Sequence, residues 1–496
     1  MAMHQYIGAR YVPYYYENSL DPTSTEWEPN VTYEPLTVVT LPNLHSYISK
    51  KLVPDTIGSP ASNPAYWLDT GYANAYIAQL QQDVSDINDI LDEFVGYHIV
   101  IKSGMSLADL NTLINDYGKR CSLVLMASID CSGGGTLSSY VEEIIGAGGM
   151  FTSTSAATLA VNSGVRIKSR AQLFNNLYCV CSTGFIDGEA TPMMFGMTGT
   201  KNVNVNTEMA FMIGSTFRIF HFTRGTYYAN IANDKSGRTF IFDPDVIIDG
   251  VLHIATGSAG NIVKDVTVIG TIYTTQRVGT YYCDGVYMDD IVIMDPDSSY
   301  DGQTGNQGMG LGVHLTNSSE NVFIKHIQMD VVNTRGDGVY NAALILDGSP
   351  ASNNIKIESM KIGICSGSSA YPIIIDNCQH IYIDDVNVSS SEMPYSFANS
   401  AFIHISNLRG FFNATVGINF NNAQVNIIRA VISSSGTIAV NATNNSNIIF
   451  NFVRSTGGCS IGVRSDSSHI TGLQHQSDAV TPNAGSTVQF FSTNYV

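Results

Sequence analysis

Most of the chain consists of short apolar runs that are separated by polar corners. Six of these runs repeat at spacings of 26, 22, 22, 23 and 22 residues when they are marked by Ile355, Ile381, Ile403, Val425, Ile448 and Ile470. A second series, marked by Ile418, Ile438 and Ile461, interleaves with the first at steps of 20 and 23 residues. Two strand families that repeat together are typical of a right-handed parallel β-helix. The pattern predicts this fold over residues 120–480, with roughly 15 coils, and a C-terminal strand or cap over residues 481–496.

The first 72 residues differ from the rest because they are rich in Tyr, Trp and Pro. Short apolar runs bounded by Pro and Asn predict a small, separate β module over residues 1–72. Both tryptophans of the chain, Trp27 and Trp67, lie in this segment. They are either the core of a small domain or exposed rings that stack on a sugar, and both alternatives stay open.

Residues 73–95 carry a heptad pattern that predicts an amphipathic helix. Positions a and d are filled by Ile77, Leu80, Val84, Ile87, Leu91 and Phe94. The seam favours a short coiled-coil neck, and a helix packed onto its own chain is the alternative. Residues 96–119 form a transition, with a second helix expected over residues 106–117 and Ser103 or Ser106 as its N-cap. The predicted fold class is therefore all-β, with the β-helix preceded by the small module and the helical neck.

The charge balance limits the choice of partners. Lys and Arg number 24 and Asp and Glu number 42, so the formal net charge is 24 − 42 = −18. This acidity argues against nucleic acid and against an anionic membrane surface as partners. Only 13% of residues are charged and 44% are hydrophobic, which favours an ordered chain with an uncharged polar surface.

Targeting and cysteine patterns add two further expectations. The first residues, MAMHQY, have no basic or apolar leader, and no apolar run reaches 18 residues, so neither a signal peptide nor membrane insertion is predicted. The eight cysteines are dispersed, and the nearest pair, Cys179 and Cys181, has C-x-C spacing. We expect buried thiols of a protein made in a reducing cytoplasm, with no metal site and no cofactor.

The order of the three parts resembles bacteriophage tail spikes and receptor-binding fibres with a pectate-lyase-like parallel β-helix. The N-terminal pattern Trp27, Tyr33, Val38–Val39, Tyr47 and Tyr66–Trp67 is similar to virion-attachment modules and, more loosely, to small chitin-binding-type modules. The resemblance implies a homotrimer that is assembled in the host cytoplasm and attached to the virion, at the tail or baseplate, through the N-terminal module. It also implies binding, and in some members cleavage, of a bacterial surface polysaccharide.

Candidate chemistry concentrates between residues 243 and 347, where carboxylates are frequent. Three Asp-Gly-Val triplets recur there, which are either a stacked column of corners or a carboxylate array. We predict Asp284, Asp289, Asp290 and Asp337 as candidate catalytic residues. Arg335 is a candidate for binding an acidic sugar, and Trp27 and Trp67 are candidates for stacking on sugar. Hydrolysis would require paired carboxylates, and elimination would require a base beside a neutralised uronate.

Other features leave the question of an enzyme open. Asp289–Asp290 and Gly336–Asp337–Gly338 resemble elements of polygalacturonase-like β-helices, but neither G-H-G nor R-x-K is present. Residues 295–312 form a long polar interruption that could wall a groove. The histidines at 221, 253, 314 and 380 are expected at corners or on the surface. The expected function is a virion spike or fibre that binds a surface polysaccharide and could cleave it, as a glycoside hydrolase or a lyase; the alternative is a purely structural fibre without glycan contact.

Overall fold

The chain divides into two compact units, Met1–Tyr97 and His98–Val496. The computed structural model describes residues 6–7, 10–11, 14–16, 24–42, 45–71, 97–255, 261–294, 312–333, 341–366, 370–434, 438–456, 460–463, 468–476, 480–482 and 487–490. The predicted coiled-coil neck over residues 73–95 lies outside these described residues.

The N-terminal unit is a small β module, as predicted. Its strands are Tyr6–Ile7, Arg10–Tyr11, Tyr14–Tyr15, Thr37–Thr40, Ser46–Ser49 and Trp67–Gly71, and a short 3-10 helix spans Pro60–Ser62. The last three strands pair in antiparallel order, and Tyr14–Tyr15 joins them in parallel. Aromatic and aliphatic side chains form its core, namely Tyr33, Val39, Leu41, Tyr47, Val53 and Trp67.

The second unit is a parallel β-solenoid of about 14 turns, which confirms the predicted β-helix. Its parallel pairing begins before residue 120, because Met105–Ser106 already pairs with Ile129–Asp130. The strands up to residue 255 are Tyr97–Ile101, Met105–Ser106, Cys121–Leu125, Ile129–Asp130, Gly135–Thr136, Val141–Gly146, Phe151–Val161, Arg166–Ser169, Phe174–Cys181, Ile186–Ala190, Phe217–Phe222, Gly225–Tyr227, Ile231–Asn233, Thr239–Phe242, Val246–Ile248 and Val251–Ala255.

The later rungs are longer and more regular. Their strands are Val263–Thr274, Arg277–Ile293, Gly312–Asn333, Asn341–Ser366, Ala370–Ser391, Tyr395–Ala398, Ala401–Phe412, Val416–Asn421, Gln424–Ser434, Ile438–Thr443, Asn447–Thr456, Ser460–Val463, His469–Gln476, Val480–Pro482 and Thr487–Phe490. The last of these pairs in parallel with His469–Gly472, so the predicted C-terminal strand continues the solenoid.

The register reproduces the first repeat series seen in the sequence. The six markers pair in order along one buried column, from Ile355 through Ile381, Ile403, Val425 and Ile448 to Ile470. The second series holds at Ile418 and Ile461, which both pair with Val440, but the choice of Ile438 was wrong by two residues. Ile438 pairs instead with Val416, two residues before Ile418 on its strand.

One rung shows the cross-section of the solenoid. We call the outward surfaces that contain Lys356, Lys361 and Ile374 the first, second and third faces. The first and second faces meet at a bend, where Glu358 and Ser359 both point outward. The inward neighbours of these residues are fully buried, namely Ile355, Ile357, Met360, Ile362, Ile373 and Ile375.

The corner between the third and first faces is built from asparagines in left-handed conformation. The φ angles of Asn377, Asn399, Asn422 and Asn444 are 52°, 45°, 52° and 54°. Asparagine tolerates this region better than other residues with a side chain. The Nδ2 of Asn422 donates to Oδ1 of Asn399 over 3.2 Å, so the side chains connect successive rungs. The Asn-rich corners of the sequence therefore fix where each rung turns.

Small residues fill the interior at the same corner. The column consists of Cys283, Ser319, Ser352, Cys378, Ser400, Ala423, Ser446 and Ser468, all of which are buried. The Oγ of Ser446 accepts from the backbone N–H of Ala423 over 3.2 Å and donates to the carbonyl of Thr443 over 2.6 Å. The Ser446 hydroxyl thereby satisfies two backbone groups that the turn removes from the sheet. The seven described cysteines are all buried free thiols, as predicted.

A helix lies at the start of the solenoid, where the prediction placed one. It spans Leu107–Tyr117, and the Oγ of its N-cap Ser106 accepts from the N–H of Asp109 over 3.1 Å. The Oδ1 of Asn111 accepts from the N–H of Ser138 over 2.8 Å and ties the helix to a later rung. An amphipathic helix here covers apolar surface that a first rung would otherwise expose. A second helix spans Asn206–Gly214, and a 3-10 turn spans Pro192–Phe195.

Candidate functional sites on the solenoid

Asp289 lies at the bend between the first and second faces and is held by three donors. The Nζ of Lys325 lies 2.6 Å from its Oδ1, and the hydroxyl of Tyr287 donates to the same atom over 2.7 Å. The N–H of Gly270 donates to its Oδ2 over 3.1 Å. Partial burial would raise the pKa of Asp289, but these bonds outweigh it and hold the pKa below its usual value. A carboxylate held in its ionised form is unsuited to act as a general acid.

The other two described candidates are also paired, and the three do not converge on one site. The Nδ1 of His326 lies 2.6 Å from Oδ1 of Asp290. The Nδ2 of Asn321 donates to Oδ1 of Asp284 over 2.6 Å. Asp284 precedes Asp289 by five residues and lies beside the corner at Gly285, so the width of the first face, at most about 16 Å, separates the two. The structure thus brings Asp289 and Asp290 together and leaves Asp284 on the far side of the first face.

Two of the predicted site residues cannot be placed. Asp337 and Arg335 lie outside the described residues, and so do residues 295–311 of the predicted polar loop. Their assignments stay predictions.

The two described Asp-Gly-Val triplets do not stack. Val251 pairs with Arg277, whereas Val286 pairs with Val322 in another part of the rung. Asp249 of the first triplet is fully buried and accepts from the hydroxyl of Thr275 over 2.8 Å. The alternative of a single column of corners is therefore wrong for these two triplets, because equal sequence patterns occur here at unequal positions of the rung.

The tryptophans belong to the N-terminal core. Trp67 is 1% exposed, and its ring contacts that of Tyr33 edge-on with centroids 5.2 Å apart. Trp27 is half-buried and packs against the same core. The ring of Trp67 consequently has no free face for a sugar. Of the two alternatives for this residue, it is part of the core of the small domain.

Four ring side chains form a block on the first face that the sequence analysis missed. His380 and Tyr382 project from one strand, and Phe402 and His404 project from the next. The rings of His380 and Phe402 lie 5.0 Å apart and 8° from parallel, and those of Tyr382 and His404 lie 6.3 Å apart. Phe402 is 60% exposed and Tyr382 is 41% exposed. We call these four residues the ring block. The sequence carried a signal for them, because each stands one residue before or after a repeat marker, Ile381 or Ile403.

The backbone of Phe402 has an unusual conformation. Its φ angle is 57°, in a column where Asp265, Asn321, Asn354 and His380 also have positive φ. Left-handed backbone costs roughly 1–2 kcal/mol for residues other than glycine, and a bulky residue is a genuine outlier there. Strain of this kind concentrates at functional positions. The exposed ring of Phe402 at this strained corner therefore marks the surrounding surface as a candidate functional site.

The column of Tyr382 continues with rings toward the earlier rungs. Tyr287 and Phe323 stack with centroids 5.3 Å apart, and the ammonium of Lys356 lies 5.3 Å from the ring centroid of Phe323. Tyr287, Phe323, Lys356, Tyr382 and His404 occupy successive rungs of this column. Flat apolar surfaces with polar edges suit carbohydrate, which offers C–H faces and hydroxyl rims.

A pair of carboxylates occupies the third face. Asp347 and Asp376 lie directly opposite each other on adjacent parallel strands. Adjacent strands are about 4.8 Å apart, so the two side chains start from neighbouring backbone positions; retaining glycosidases hold their two carboxyl groups about 5 Å apart. Loss of hydration raises the pKa of Asp347, and the facing carboxylate of Asp376 raises it further. The Nδ2 of Asn399 donates to Oδ1 of Asp376 over 3.1 Å, so the two carboxylates have different surroundings.

A buried basic cluster lies on the same face. The Nε and Nη2 of Arg277 lie 3.1 and 2.6 Å from Nε2 of His253, and its Nη1 lies 3.5 Å from Nδ1 of His314. Burial and the adjacent guanidinium lower the pKa of His253 to about 4, so this imidazole is neutral and accepts from Arg277. His314 lies two residues before Thr316, and Thr316 is the strand partner of Asp347. Neither histidine is the solvent-exposed corner residue that the sequence suggested.

An open groove of about 630 Å³ lies on the early rungs. Charged residues line it, including Arg166, Lys168, Arg170, Asp187 and Glu189. Most of these charges pair with each other or with a neighbour, as in Arg166 with Asp187 at 3.4 Å. Mutual neutralisation disfavours this groove as the catalytic site.

His221 connects two carboxylates beside this groove. Its Nδ1 lies 3.0 Å from Oε2 of Glu189, and its Nε2 lies 2.8 Å from Oδ1 of Asp243. Partial burial would lower the pKa of His221, but the two hydrogen bonds to carboxylates raise it above its ordinary value. The three residues come from successive rungs, so the imidazolium ties these rungs together.

Comparison with protein-family models, with curated proteins and with solved structures gives no match to this chain. Among the described residues, no helix has the length and hydrophobicity needed to cross a membrane. Within the same ranges, no group of three or more His, Cys, Asp or Glu side chains is arranged to hold a metal ion. Function therefore has to be inferred from the surfaces described above.

Proposed function

We propose that this protein is a spike or fibre of a bacteriophage particle and binds a bacterial surface polysaccharide on the first face of its solenoid. The ring block carries this proposal, because it presents four rings of two adjacent rungs to solvent. The strained Phe402 supports it, since an Asn or Gly at that corner would serve the fold at lower cost.

The role on a virion is supported by the order of parts. An aromatic-rich β module precedes a heptad segment in the sequence, and a long parallel β-solenoid follows. We propose a homotrimer that is attached to the particle through the N-terminal module. The weakly charged outer faces of the solenoid would suit contacts between subunits, since few ions need to be desolvated. A purely structural fibre is the alternative.

Binding is tested with surface polysaccharides purified from candidate host bacteria and immobilised for interferometry. We expect saturable binding by the intact chain and at least a tenfold loss in Phe402→Ala and Tyr382→Ala, about 1.4 kcal/mol or more. Ile364→Ala is the matched control, because Ile364 is also an exposed apolar side chain of the solenoid. Equal losses in all three variants would contradict the ring block as the site. Absence of binding across the panel would favour the structural fibre.

Cleavage is a second proposed activity, and the carboxylate pair of Asp347 and Asp376 favours it. In a retaining hydrolysis, one carboxylic acid protonates the departing glycosidic oxygen while the other carboxylate attacks the anomeric carbon; water then releases the sugar. The raised pKa of Asp347 suits the acid, because it keeps a proton available at a higher pH.

The cleavage assay follows new reducing ends and absorbance near 235 nm, which reports the double bond of an elimination product. We expect reducing ends without a rise at 235 nm, and loss of that signal in Asp347→Asn and Asp376→Asn. Asp384→Asn is the control, since Asp384 is an exposed carboxylate at the bend between the first and second faces, away from the carboxylate pair. A rise at 235 nm, or unchanged cleavage in both Asn variants, would rule out this pair as the hydrolytic site.

A further inference from the structure

We propose that the second face binds the anionic groups of an acidic polysaccharide through three arginines on successive rungs, Arg409, Arg429 and Arg454. This inference rests on the glycan binding proposed above and specifies the chemical class of the glycan. We call the three residues the arginine ladder.

The register places these arginines side by side. Arg409 pairs with Val431, and Arg454 pairs with Val431 from the other side. Arg429 stands two residues before Val431 on the intervening strand, and all three side chains are exposed. Consecutive strands are about 4.8 Å apart, so Arg409 and Arg454 stand two strand spacings apart in one column, and Arg429 lies on the rung between them in the adjacent column.

The concentration of charge is unusual for this chain. After Lys361 the sequence contains only four Lys or Arg residues, Arg409, Arg429, Arg454 and Arg464, in a protein with a net charge of −18. Arg409 and Arg454 project from the second face in the column of Lys361, and Arg429 projects beside them in the column of Ser359, at the edge of this face. Arg464 lies outside the described residues. Basic residues that served only solubility would be spread over the surface, and would not place the few cations of this region close together.

Few described carboxylates offset these cations. The Nη2 of Arg409 lies 3.9 Å from Oδ1 of Asp385, at the limit of an ion pair. Arg429 and Arg454 form no ion pair with any residue that the structure describes, and the guanidinium of Arg429 lies 5.7 Å from the ring centroid of Phe452. Like charges on neighbouring strands repel. A row of this kind is stabilised when an anion lies across it.

The chemistry of the row selects the ligand. Guanidinium groups bind carboxylate or phosphate through two parallel hydrogen bonds. A linear glycan with a charged group in each repeating unit can contact several rungs at once. Double-stranded nucleic acid is disfavoured, because the net charge of the protein repels a dense polyphosphate. We therefore expect an acidic polysaccharide rather than a neutral one.

The test measures binding of the full chain to four probes: polysialic acid and polygalacturonate for carboxylate, poly(glycerol phosphate) for phosphate, and dextran as the neutral polymer. We expect binding to an anionic probe that weakens with salt, and about a tenfold loss for each of Arg429→Gln and Arg454→Gln. Which anionic probe binds more tightly distinguishes carboxylate from phosphate. Arg224→Gln is the control, because it removes an exposed arginine of the early rungs and should leave affinity unchanged.

Several outcomes would overturn the inference. One such outcome is that dextran and the anionic probes bind equally and only the ring-block variants lose affinity. The protein would then bind glycan, but the arginine ladder would have no part in that binding. Equal losses in Arg224→Gln would show a general effect of net charge. Single-stranded DNA is added as a fifth probe; if it bound more tightly than any glycan, nucleic acid would replace the polysaccharide as the ligand. A change of oligomeric state in the Gln variants, measured by sedimentation, would instead make this face an interface between copies. Failure of every host polysaccharide in the earlier assay would overturn the proposed function itself.

Discussion

The rings of His380 and Phe402 lie 5.0 Å apart and within 8° of parallel, at equivalent corners of adjacent rungs. Both residues have left-handed backbone, with φ angles of 55° and 57°. The hydrogen-bonded register fixes the offset between these corners, so the stacked pair is rigid without a covering element. The solenoid thus holds Phe402 in this strained conformation, and a surface preformed in this way reduces the entropy lost when a ligand binds.

Replacement of Phe402 should separate stability from binding. Phe402→Asn introduces a residue that tolerates positive φ, and we expect the free energy of unfolding to stay level or rise by up to about 1 kcal/mol. Glycan affinity should fall at least as far as in Phe402→Ala. Thermal unfolding and interferometry measure the two effects. Asn354→Ala, at the same corner two rungs earlier, is the control and should lose stability. A destabilised Phe402→Asn would contradict the assignment of strain.

The carboxylate pair predicts a pH effect on stability. Because the folded-state pKa of Asp347 is raised, the folded chain binds the proton more tightly than the unfolded chain. Stability should therefore decline as the pH rises from about 4, the usual pKa of Asp, through the raised value. Asp347→Asn should remove this decline and stabilise the chain at pH 7 by a few tenths of a kcal/mol, because the site is exposed. A variant less stable than the natural chain at pH 7 would contradict repulsion between the two carboxylates.

His221 predicts a decline of stability in the same direction as Asp347, but at higher pH. Its folded-state pKa is raised, so its contribution is fully present below about pH 6.5 and is lost as the pH rises through the folded value. We expect His221→Gln to lower the free energy of unfolding by about 1 kcal/mol at pH 6 and by less at pH 9, since the two carboxylates are partly screened by water. Chemical unfolding across this range measures the effect. A difference independent of pH would mean that the imidazole acts only through packing.

The buried serine column predicts a local cost. In Ser446→Ala, the N–H of Ala423 loses its acceptor and the carbonyl of Thr443 loses its donor. Both groups are buried at the corner, so we expect a loss of about 1–2 kcal/mol. Ser406→Ala is the control, because that hydroxyl lies on the outside near Asp384 and its loss should change stability by less than about 0.5 kcal/mol. Equal unfolding midpoints for the two variants would contradict the role of the column.

The sequence predicted the solenoid because its two signals are local and repeat. Alternation of apolar and polar residues set which side chains face inward, and the recurrence of markers such as Ile381 and Ile403 set the rung length. The same local logic failed at Ile438, since alternation alone cannot distinguish it from Val440. It also placed the start of the solenoid at residue 120, because the helix before it hides an earlier parallel strand.

The candidate sites were less predictable, because they depend on which rungs lie side by side. Asp289 and Asp290 stood out as neighbours in sequence, yet each is already paired with a side chain of the next rung, Lys325 and His326 respectively. Asp347 and Asp376 are 29 positions apart in the sequence, an interval unlike that of the regular rungs, so only the register shows that they face each other. The burial of Trp67 likewise depends on pairing between distant strands.

The regular register from Ile355 to Ile470 has a consequence for how such a surface can change. The distance between equivalent positions of two rungs is set by backbone hydrogen bonds, at about 4.8 Å for each step. The spacing of equivalent positions along the solenoid is therefore fixed. A point substitution changes the side chain at one position but does not move that position. A ligand whose repeat is commensurate with whole steps meets the same geometry along its length. Only the insertion or deletion of an entire rung changes these positions, and it moves every later rung by one strand spacing.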